Sequence, residues 1–256
     1  MRARQVCALL MVVTALSAGA GAGAAAELHV LSAGAVRSVI TDLAAAFEKE
    51  TGTTVKLTFG TVGQIRAKLA EATPADVAIM TDTALDQMTR QGVVREAPRV
   101  AVGRTGIGVG VRDGAPKPDI STIEALKEAL LSAKSLTYVD PAQGATSGIH
   151  FASVLKKLAI GDAVKPKTTL VPGGYPAELV ANGEVEMVVH QISEIVPVKG
   201  VTLVGPLPRE LQKITVYAAG ITVSSTSKPA AAAFVAFLAR PEFKPKLAAA
   251  GLDYKD

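Results

Sequence analysis

The sequence predicts an α/β fold in which two lobes, each with a mainly parallel sheet flanked by helices, are joined by two crossover strands. Short apolar runs alternate repeatedly with amphipathic stretches of helical period, which is the order of a β-α-β chain. Glycines follow these stretches at Gly52, Gly92, Gly161, Gly183 and Gly251, where left-handed helix C-caps are expected. Two long strand-like segments separate the middle of the chain from its ends.

Beyond an apolar leader, the first half of the chain predicts alternating strands and helices. It opens with the strand-like LHVL, after which Val36, Ile40, Leu43 and Phe47 recur at helical spacing with charged residues on the opposite face. TVKLTF and DVAIM predict strands, whereas VGQIRAKLAEA and TALDQMTRQ predict helices. The capping box Ser121-Thr-Ile-Glu124 marks the start of the helix ALKEALL. The same order returns in SLTYV, FASVLKKLA, TTLVP, YPAELVAN and VEMVVH.

The two longest strand-like segments are Thr105–Arg112 (TGIGVGVR) and Lys213–Val223 (KITVYAAGITV). They bracket the middle of the chain, so we predict that both are crossovers between the lobes. Residues 27–107 and 219–256 then form lobe 1, and residues 108–218 form lobe 2. A single continuous sheet is the alternative organisation.

The first 26 residues have the layout of a secretory signal peptide. Arg2 and Arg4 precede the apolar run CALLMVVTALSA, which passes into small residues ending at Ala24–Ala26. This run is nearer a dozen residues than the roughly 20 that span a bilayer, which favours cleavage over a membrane anchor. Cys7, the one cysteine of the sequence, lies in this leader, so the exported protein has no thiol chemistry.

Composition disfavours several ligand classes. The whole sequence has 27 basic and 23 acidic residues, and the leader contains two of the basic ones and none of the acidic ones. The remaining chain therefore has a net charge of about +2, which gives no support for nucleic-acid binding. The lack of Trp and the aromatic content of 4% disfavour sugar stacking and aromatic cages for quaternary amines. Oxyanions and carboxylates remain the favoured ligands.

Four predicted strand-to-helix turns consist of small and hydroxyl residues. In open α/β sheets, ligands bind beyond the carboxyl ends of strands, where helix N-termini present N–H groups that favour an anion. One such turn alone is more often an ordinary cap, but four in one chain predict an anion site if they meet in space. The turns are Ser32-Ala33-Gly34, Gly60-Thr61-Val62-Gly63, Gly144-Ala145-Thr146-Ser147-Gly148 and Gly173-Gly174-Tyr175.

Motifs for catalysis and metal binding are weak. Ser147 and His150 stand three residues apart but lack the G-x-S-x-G elbow of hydrolases, so a secreted hydrolase using this pair is kept only as an alternative. A metal site would need His150, His190 and Glu194 to approach one another across a cleft. A histidine lining the anion pocket, which would make binding sensitive to pH, is favoured over a metal site.

Arg104 is a candidate cation for the base of the cleft, with a solvated surface position as the alternative.

Several stretches resemble periplasmic molybdate-binding proteins of ABC importers: AAFEKETGTTVKLTFGTVGQIRAKL, ATPADVAIMTD, DPAQGATSGIHFASVLKKL and ANGEVEMVVHQISEI. The resemblance extends over nearly all of residues 27–256, and the last helices resemble that family's return to the first lobe. It implies a type II periplasmic binding protein fold, whose two lobes close on the ligand like a hinge.

The resemblance is less complete at the ligand-binding positions. The family's first ligand-binding serine corresponds to Ala35, with Ser32 three residues earlier, and its second falls near Val62, next to Thr61. Where the family has a tyrosine late in the chain, this sequence has Gln191. These departures predict a divergent member that binds a molybdate-like oxyanion or a small organic acid.

The sequence therefore predicts a periplasmic solute-binding protein that delivers a small anion to an ABC permease in the inner membrane. We expect a monomer that is not an enzyme and that needs no cofactor or metal. An anion sensor that docks on a membrane receptor would have the same fold and pocket. The predicted ligand-binding residues are Ser32, Gly34, Thr61, Val62, Thr146, Ser147, Gly174, Tyr175, His190 and Gln191.

Overall fold

The computed structural model describes residues 27–255, so the predicted signal peptide lies outside the described residues. Within residues 27–255, no helix is both long and apolar enough to cross a bilayer. The strands are β1 (Glu27–Ala33), β2 (Thr54–Gly60), β3 (Val77–Thr81), β4 (Val94–Thr105), β5 (Ile107–Arg112), β6 (Leu136–Val139), β7 (Thr168–Val171), β8 (Met187–Gln191), β9 (Val201–Pro206) and β10 (Thr215–Thr222). The helices are α1 (Arg37–Thr51), α2 (Val62–Ala70), α3 (Asp82–Arg90), α4 (Ile123–Ser132), α5 (Thr146–Lys157), α6 (Gly161–Val164), α7 (Ala177–Ala181), α8 (Ile192–Ile195), α9 (Lys228–Leu238) and α10 (Lys244–Ala249).

The strands form two mixed sheets of five strands, with the orders β2-β1-β3-β10-β4 and β7-β6-β8-β5-β9. We call the half built on the first sheet lobe 1 and the half built on the second sheet lobe 2. Three strands of each sheet are parallel, β2-β1-β3 in lobe 1 and β7-β6-β8 in lobe 2. The remaining strands pair antiparallel. The predicted two-lobe α/β fold is confirmed, with sheets that are mixed because β10 in lobe 1 and β5 in lobe 2, the first strand after each crossing, run against their neighbours.

The chain changes lobe twice. It leaves lobe 1 between β4 and β5, at Gly106, and returns between Pro206 and Thr215. The predicted boundary between residues 218 and 219 falls inside β10, whose strand partners β3 and β4 both belong to lobe 1. The apolar pattern of residues 213–223 is continuous, so it identifies the strand but not the point where the chain changes sheet.

Aromatic contacts fasten the C-terminal helices to lobe 1. Phe47 of α1 packs edge-on against Phe234 and Phe237 of α9, with ring centroids 5.1 and 5.3 Å apart. In lobe 2, Tyr138 of β6 packs edge-on against Phe151 of α5 at 5.0 Å. Edge-to-face pairs of this kind stabilise a core beyond the area that they bury. The chain therefore ends on lobe 1, as the resemblance implies.

Four of the five expected left-handed glycines have positive φ: Gly52, Gly92, Gly183 and Gly251. The expectation is wrong for Gly161, which is the first residue of α6. Ala159 takes the left-handed conformation after α5 instead, with φ 53°.

Helix α5 approaches β6 so closely that residue 148 has no room for a side chain. A Cβ on Gly148 would lie 2.1 Å from the carbonyl oxygen of Val139. We expect Gly148→Ala to lower the free energy of unfolding by about 1 to 3 kcal/mol, because either the helix or the strand must move. Urea unfolding followed by circular dichroism measures this. Gly161→Ala is the matched control, since a Cβ there meets nothing within 4 Å; equal losses in both variants would contradict the explanation.

Candidate functional site

The four small-residue turns meet around one cavity of about 30 Å³ between the lobes. This inner cavity lies at the carboxyl ends of β1 and β2 in lobe 1 and of β6, β7 and β8 in lobe 2. Its wall therefore combines main-chain groups of both lobes with a few polar side chains. The wall residues are Ala33, Gly34, Ala35, Arg37, Gly60, Thr61, Val62, Val139, Ala145, Thr146, Ser147, Gly173, Gly174, His190, Gln191, Glu194 and Tyr217.

Two of the helical segments at the cavity begin without a side-chain cap. These are the short 3-10 helix Gly34–Val36, which precedes α1, and helix α5, which begins at Thr146. The first N–H groups of a helix have no carbonyl partner within it. One uncapped start from each lobe therefore presents main-chain donors beside the cavity, and the helix dipole favours an anion there.

Thr61 has a different role from the one predicted. Its hydroxyl accepts a hydrogen bond from the Gln64 N–H (3.1 Å), which caps α2, and donates to the carbonyl of Gln143 in lobe 2. The hydroxyl is thus occupied by a contact between the lobes. The Gly63 N–H also donates across the gap, to the Gly144 carbonyl at 3.2 Å. These contacts close one side of the cavity.

Arg37 supplies the guanidinium on the cavity wall. Its Cζ lies 4.5 Å from the ring centroid of Phe59 in lobe 1 and 5.6 Å from that of Tyr175 in lobe 2. Two aromatic faces thus hold the cation where the lobes meet. Tyr175 covers Arg37 rather than forming part of the cavity wall. Burial, aided by the charge of Glu194, raises the pKa of the Tyr175 phenol to about 12, so the ring stays neutral.

Glu194 is a carboxyl group of lobe 2 that is only 7% exposed and lies on the cavity wall. A Cβ on Gly34 of lobe 1 would lie 2.9 Å from Glu194 Oε1, so the carboxyl reaches across the gap between the lobes. Burial raises its pKa to about 8, and the positive charge of Arg37 opposes this rise only in part. The group is therefore mostly protonated at pH 7.

His190 lies between Ser147 and Glu194. A 2.9 Å hydrogen bond joins its Nδ1 to Ser147 Oγ, and its Nε2 lies 3.4 Å from Glu194 Oε2. Burial lowers the pKa of His190 to about 4, with the Gly174 carbonyl opposing this shift. Between about pH 4 and pH 8, His190 and Glu194 are thus both mostly neutral.

Gln191 and Tyr217 form a buried polar contact between the lobes. The Gln191 amide donates to the Tyr217 hydroxyl at 3.2 Å. Within residues 27–255, Gln191 Oε1 has no hydrogen-bond partner. A buried polar atom without a partner on a cavity wall is a position where a ligand atom or a water is expected.

Three sequence hypotheses need correction. Ser32 is fully buried, and its hydroxyl donates to the Ala33 carbonyl at 3.2 Å; because β1 continues to Ala33, the turn at the cavity begins only at Gly34. His150 does not pair with Ser147: its Nε2 lies 2.7 Å from the Leu211 carbonyl oxygen, and the residue is not on the cavity wall. Ser147 is hydrogen-bonded to His190. Arg104 is not on the cavity wall either. It belongs to β4, and its main-chain N–H donates to the main-chain carbonyl of Leu252 at 2.8 Å.

The remaining predicted residues, namely Gly34, Thr61, Val62, Thr146, Ser147, Gly174, His190 and Gln191, all lie on the wall of the inner cavity. Sequence reasoning missed Arg37 and Tyr217 and considered Glu194 only as a metal ligand. Arg37 is the first charged residue after the first small-residue turn, and Glu194 follows His190 by four residues. Over the described range 27–255, no group of three or more His, Cys, Asp and Glu residues is arranged to hold a metal ion.

The model of the bacterial extracellular solute-binding protein family matches residues 28–253. The chain belongs to this family. It is 34% identical over 231 residues to an aconitate isomerase of a Pseudomonas species, covering 88% of this chain and 87% of that protein. It is 30% identical over 244 residues to the molybdate-binding protein of Azotobacter vinelandii, covering 91% of this chain and 93% of the relative.

A solved structure shows the shared fold directly. The periplasmic molybdate-binding protein of Azotobacter vinelandii matches with a TM-score of 0.72 at 20% identity, covering 90% of this chain and 100% of that chain. The resemblance identified from the sequence is thus confirmed, and the chain is a divergent member of the type II binding proteins.

The buried carboxyl predicts a pH-dependent stability. The folded-state pKa of Glu194 is raised from 4.5 to about 8, so its stabilising contribution is complete below about pH 4.5 and is lost as the pH rises to about 8. We expect Glu194→Gln to be progressively more stable than the wild type over this range, by on the order of 3 to 5 kcal/mol at pH 8. Urea unfolding at several pH values measures the difference. The exposed Glu128→Gln is the control, and a constant Glu194→Gln difference would contradict the prediction.

Proposed function

We propose that this chain is an exported, monomeric solute-binding protein that captures a small carboxylate between its lobes and delivers it to an ABC permease of the inner membrane. The observation that carries the proposal is the charge of the inner cavity. With Glu194 and His190 mostly neutral near pH 7, Arg37 is the charged group on the wall. Uncapped helix starts from both lobes add main-chain donors. This set of groups suits one negative charge.

The energetics of such a site are sufficient without a metal. Micromolar affinity corresponds to about −8 kcal/mol, and hydrogen bonds to a charged group contribute roughly 1.5 to 3 kcal/mol each. Five or six such bonds cover that affinity and part of the cost of immobilising the ligand. The guanidinium alone can supply two parallel bonds to a carboxylate. A 180° turn of the Gln191 amide would let Tyr217 donate to Oε1 and would turn Nε2 toward the anion.

Two observations favour a carboxylate over molybdate. The hydroxyls of Thr61 and Ser147 already pair with Gln143 and His190, so they are not free to surround a tetrahedral oxyanion. In addition, the relative at 34% identity is an aconitate isomerase, whose name indicates a tricarboxylate. Its higher identity, compared with 30% for the molybdate-binding relative, supports the organic-acid class.

Size requires that a polycarboxylate occupy more than the inner cavity. About 30 Å³ holds two or three water-sized groups, which suits a single carboxylate. Next to it lies an outer hollow of about 500 Å³, which shares Val62 and Thr146 with the inner wall and also includes Arg66 and Lys213. A longer ligand would place one carboxylate at Arg37 and extend toward these cations when the lobes stand slightly further apart.

A second candidate function is isomerisation of an unsaturated tricarboxylate, the activity that the name of the Pseudomonas relative gives. The observation that favours it is Glu194, a carboxyl with a raised pKa on the cavity wall beside a histidine. Incubation with cis-aconitate, followed by proton NMR for the trans isomer, tests it.

A sensor docking on a membrane receptor would bind the same anion and differ only in its partner.

Arg37 gives a direct test of the anion site. We expect citrate, cis-aconitate or trans-aconitate to raise the melting temperature of the mature protein. Arg37→Met should weaken that binding by roughly 10- to 100-fold, because a charge-assisted contact is lost. Isothermal titration calorimetry gives the dissociation constants, with the exposed Arg95→Met as control. Response to molybdate alone would contradict the carboxylate assignment, and no response to any anion would contradict the proposal.

The contact between Gly63 and Gly144 tests the role of lobe closure. A Cβ on Gly63 would lie 2.8 Å from the Gln143 carbonyl oxygen and from Gly144 Cα. We expect Gly63→Ala to weaken carboxylate binding by roughly tenfold or more, because the closed state becomes less populated. The unfolding free energy should change far less than in Gly148→Ala. Calorimetric titration with the tightest carboxylate measures the loss, and unchanged affinity would contradict the closure argument.

A further inference from the structure

We propose that Glu194 is the acid–base residue of a proton-shift activity at this site and that His190 positions it. The inference rests on the proposed carboxylate site and goes beyond transport, because it assigns chemistry to a bound ligand. The substrate class is a small unsaturated polycarboxylate with an allylic C–H, on the carbon beside a C=C bond that is conjugated with a carboxylate.

Glu194 is placed to touch a ligand bound between the lobes. Its carboxyl lies on the wall of the inner cavity and reaches the main chain of Gly34 on the opposite lobe. A cavity of about 30 Å³ leaves a bound group in contact with most of its wall. A carboxylate held by Arg37 therefore brings the adjoining three-carbon unit within reach of Glu194.

His190 and Ser147 lie in a row behind the Glu194 carboxyl. His190 Nε2 lies 3.4 Å from Glu194 Oε2, and the opposite ring nitrogen is bonded to the buried Ser147 at 2.9 Å. A serine, a histidine and a carboxyl thus form a row that ends at the cavity. The bond to Ser147 holds the histidine ring, whose Nε2 has no hydrogen-bond partner within residues 27–255 and lies beside the Glu194 carboxyl, where it can orient that group.

The groups around Glu194 leave one positive charge, that of Arg37, close to its carboxyl. The titratable groups that face Glu194 are Arg37 from α1, His190 from β8, Tyr175 before α7 and Tyr217 from β10. Burial holds His190 neutral and both phenols protonated near pH 7, so Arg37 is the cation available to a developing negative charge. A partly buried guanidinium beside a forming enolate stabilises the charge where it develops.

The proposed reaction is balanced without a cofactor. The ionised carboxylate of Glu194 accepts a proton from the substrate C–H, and the C–H electron pair delocalises through the C=C bond onto the carboxylate oxygens at Arg37. Glu194 then returns the proton to the other end of the three-carbon unit, and the double bond re-forms in its new position. Substrate and product have the same atoms and the same oxidation state, so no oxidant, reductant or other reactant is needed.

The test separates this inference from the proposed binding function. Mature wild-type protein is mixed with cis-aconitate in D2O, and proton NMR follows both the appearance of a new isomer and the replacement of substrate hydrogen by deuterium. Calorimetry measures binding of the same compound. We expect Glu194→Gln to lower turnover at least 100-fold while the dissociation constant changes less than tenfold. Glu194→Asp should recover part of the activity, and the exposed Glu128→Gln should leave it unchanged.

The pH profile distinguishes a catalytic carboxyl from a structural one. Since the pKa of Glu194 is about 8, kcat should rise with pH and level off above that value, and Glu194→Asp should shift the inflection. His190→Gln should lower kcat with little change in KM and should also move the inflection, as a positioning role requires. Binding of cis-aconitate without turnover or deuterium exchange would overturn this inference and leave the binding function intact. Turnover that survives Glu194→Gln would overturn the assignment of Glu194.

Discussion

The site depends on the meeting of strand ends from two lobes at one gap. Parallel strands end on the same edge of a sheet, and helices begin there with N–H groups that have no partner in the helix. When two such edges face each other, the gap becomes a concentrated set of donors. Glu194 and His190, which reach this gap, are shielded from water and lie among the dipoles of both lobes. Arg37, Glu194 and His190 owe their properties to that position.

Burial acts in opposite directions on the two titratable groups in the gap. It raises the pKa of Glu194 and lowers that of His190, because in each case the neutral form is easier to keep away from water. The result is a pair that is mostly uncharged near pH 7 beside a guanidinium that stays charged. A cavity with a permanent cation and a protonatable acid can bind an anion and can also exchange a proton with it. Binding and catalysis would therefore differ by little more than the position of one carboxyl relative to the ligand.

Close approach of main chains constrains the sequence around this site. Gly63 meets Gly144 between the lobes, and Gly148 meets Val139 where α5 packs against β6. In both places a methyl group would collide with a carbonyl oxygen that cannot move independently of its strand or turn. The same turns that expose N–H groups must therefore consist of residues with small side chains. Their composition reflects packing as well as ligand binding.

Periodicity and turn chemistry are local properties, so the amino-acid sequence was enough to predict the alternation of strands and helices and the four small-residue turns; it indicated two crossings between the lobes but placed the second inside β10. It also placed eight of the ten candidate residues at the cavity, six on these turns and two, His190 and Gln191, at the end of β8, since a strand end in a parallel sheet has a defined direction. The partners of these side chains follow from the fold, because they come from distant parts of the chain. Ser147 pairs with His190 rather than with nearby His150 because the first pair is joined across neighbouring strand ends, whereas the second lies on one helix whose face turns away. Arg37 and Glu194 were invisible as a pair in the sequence, because 157 positions separate them and only closure of the lobes brings them to the same cavity.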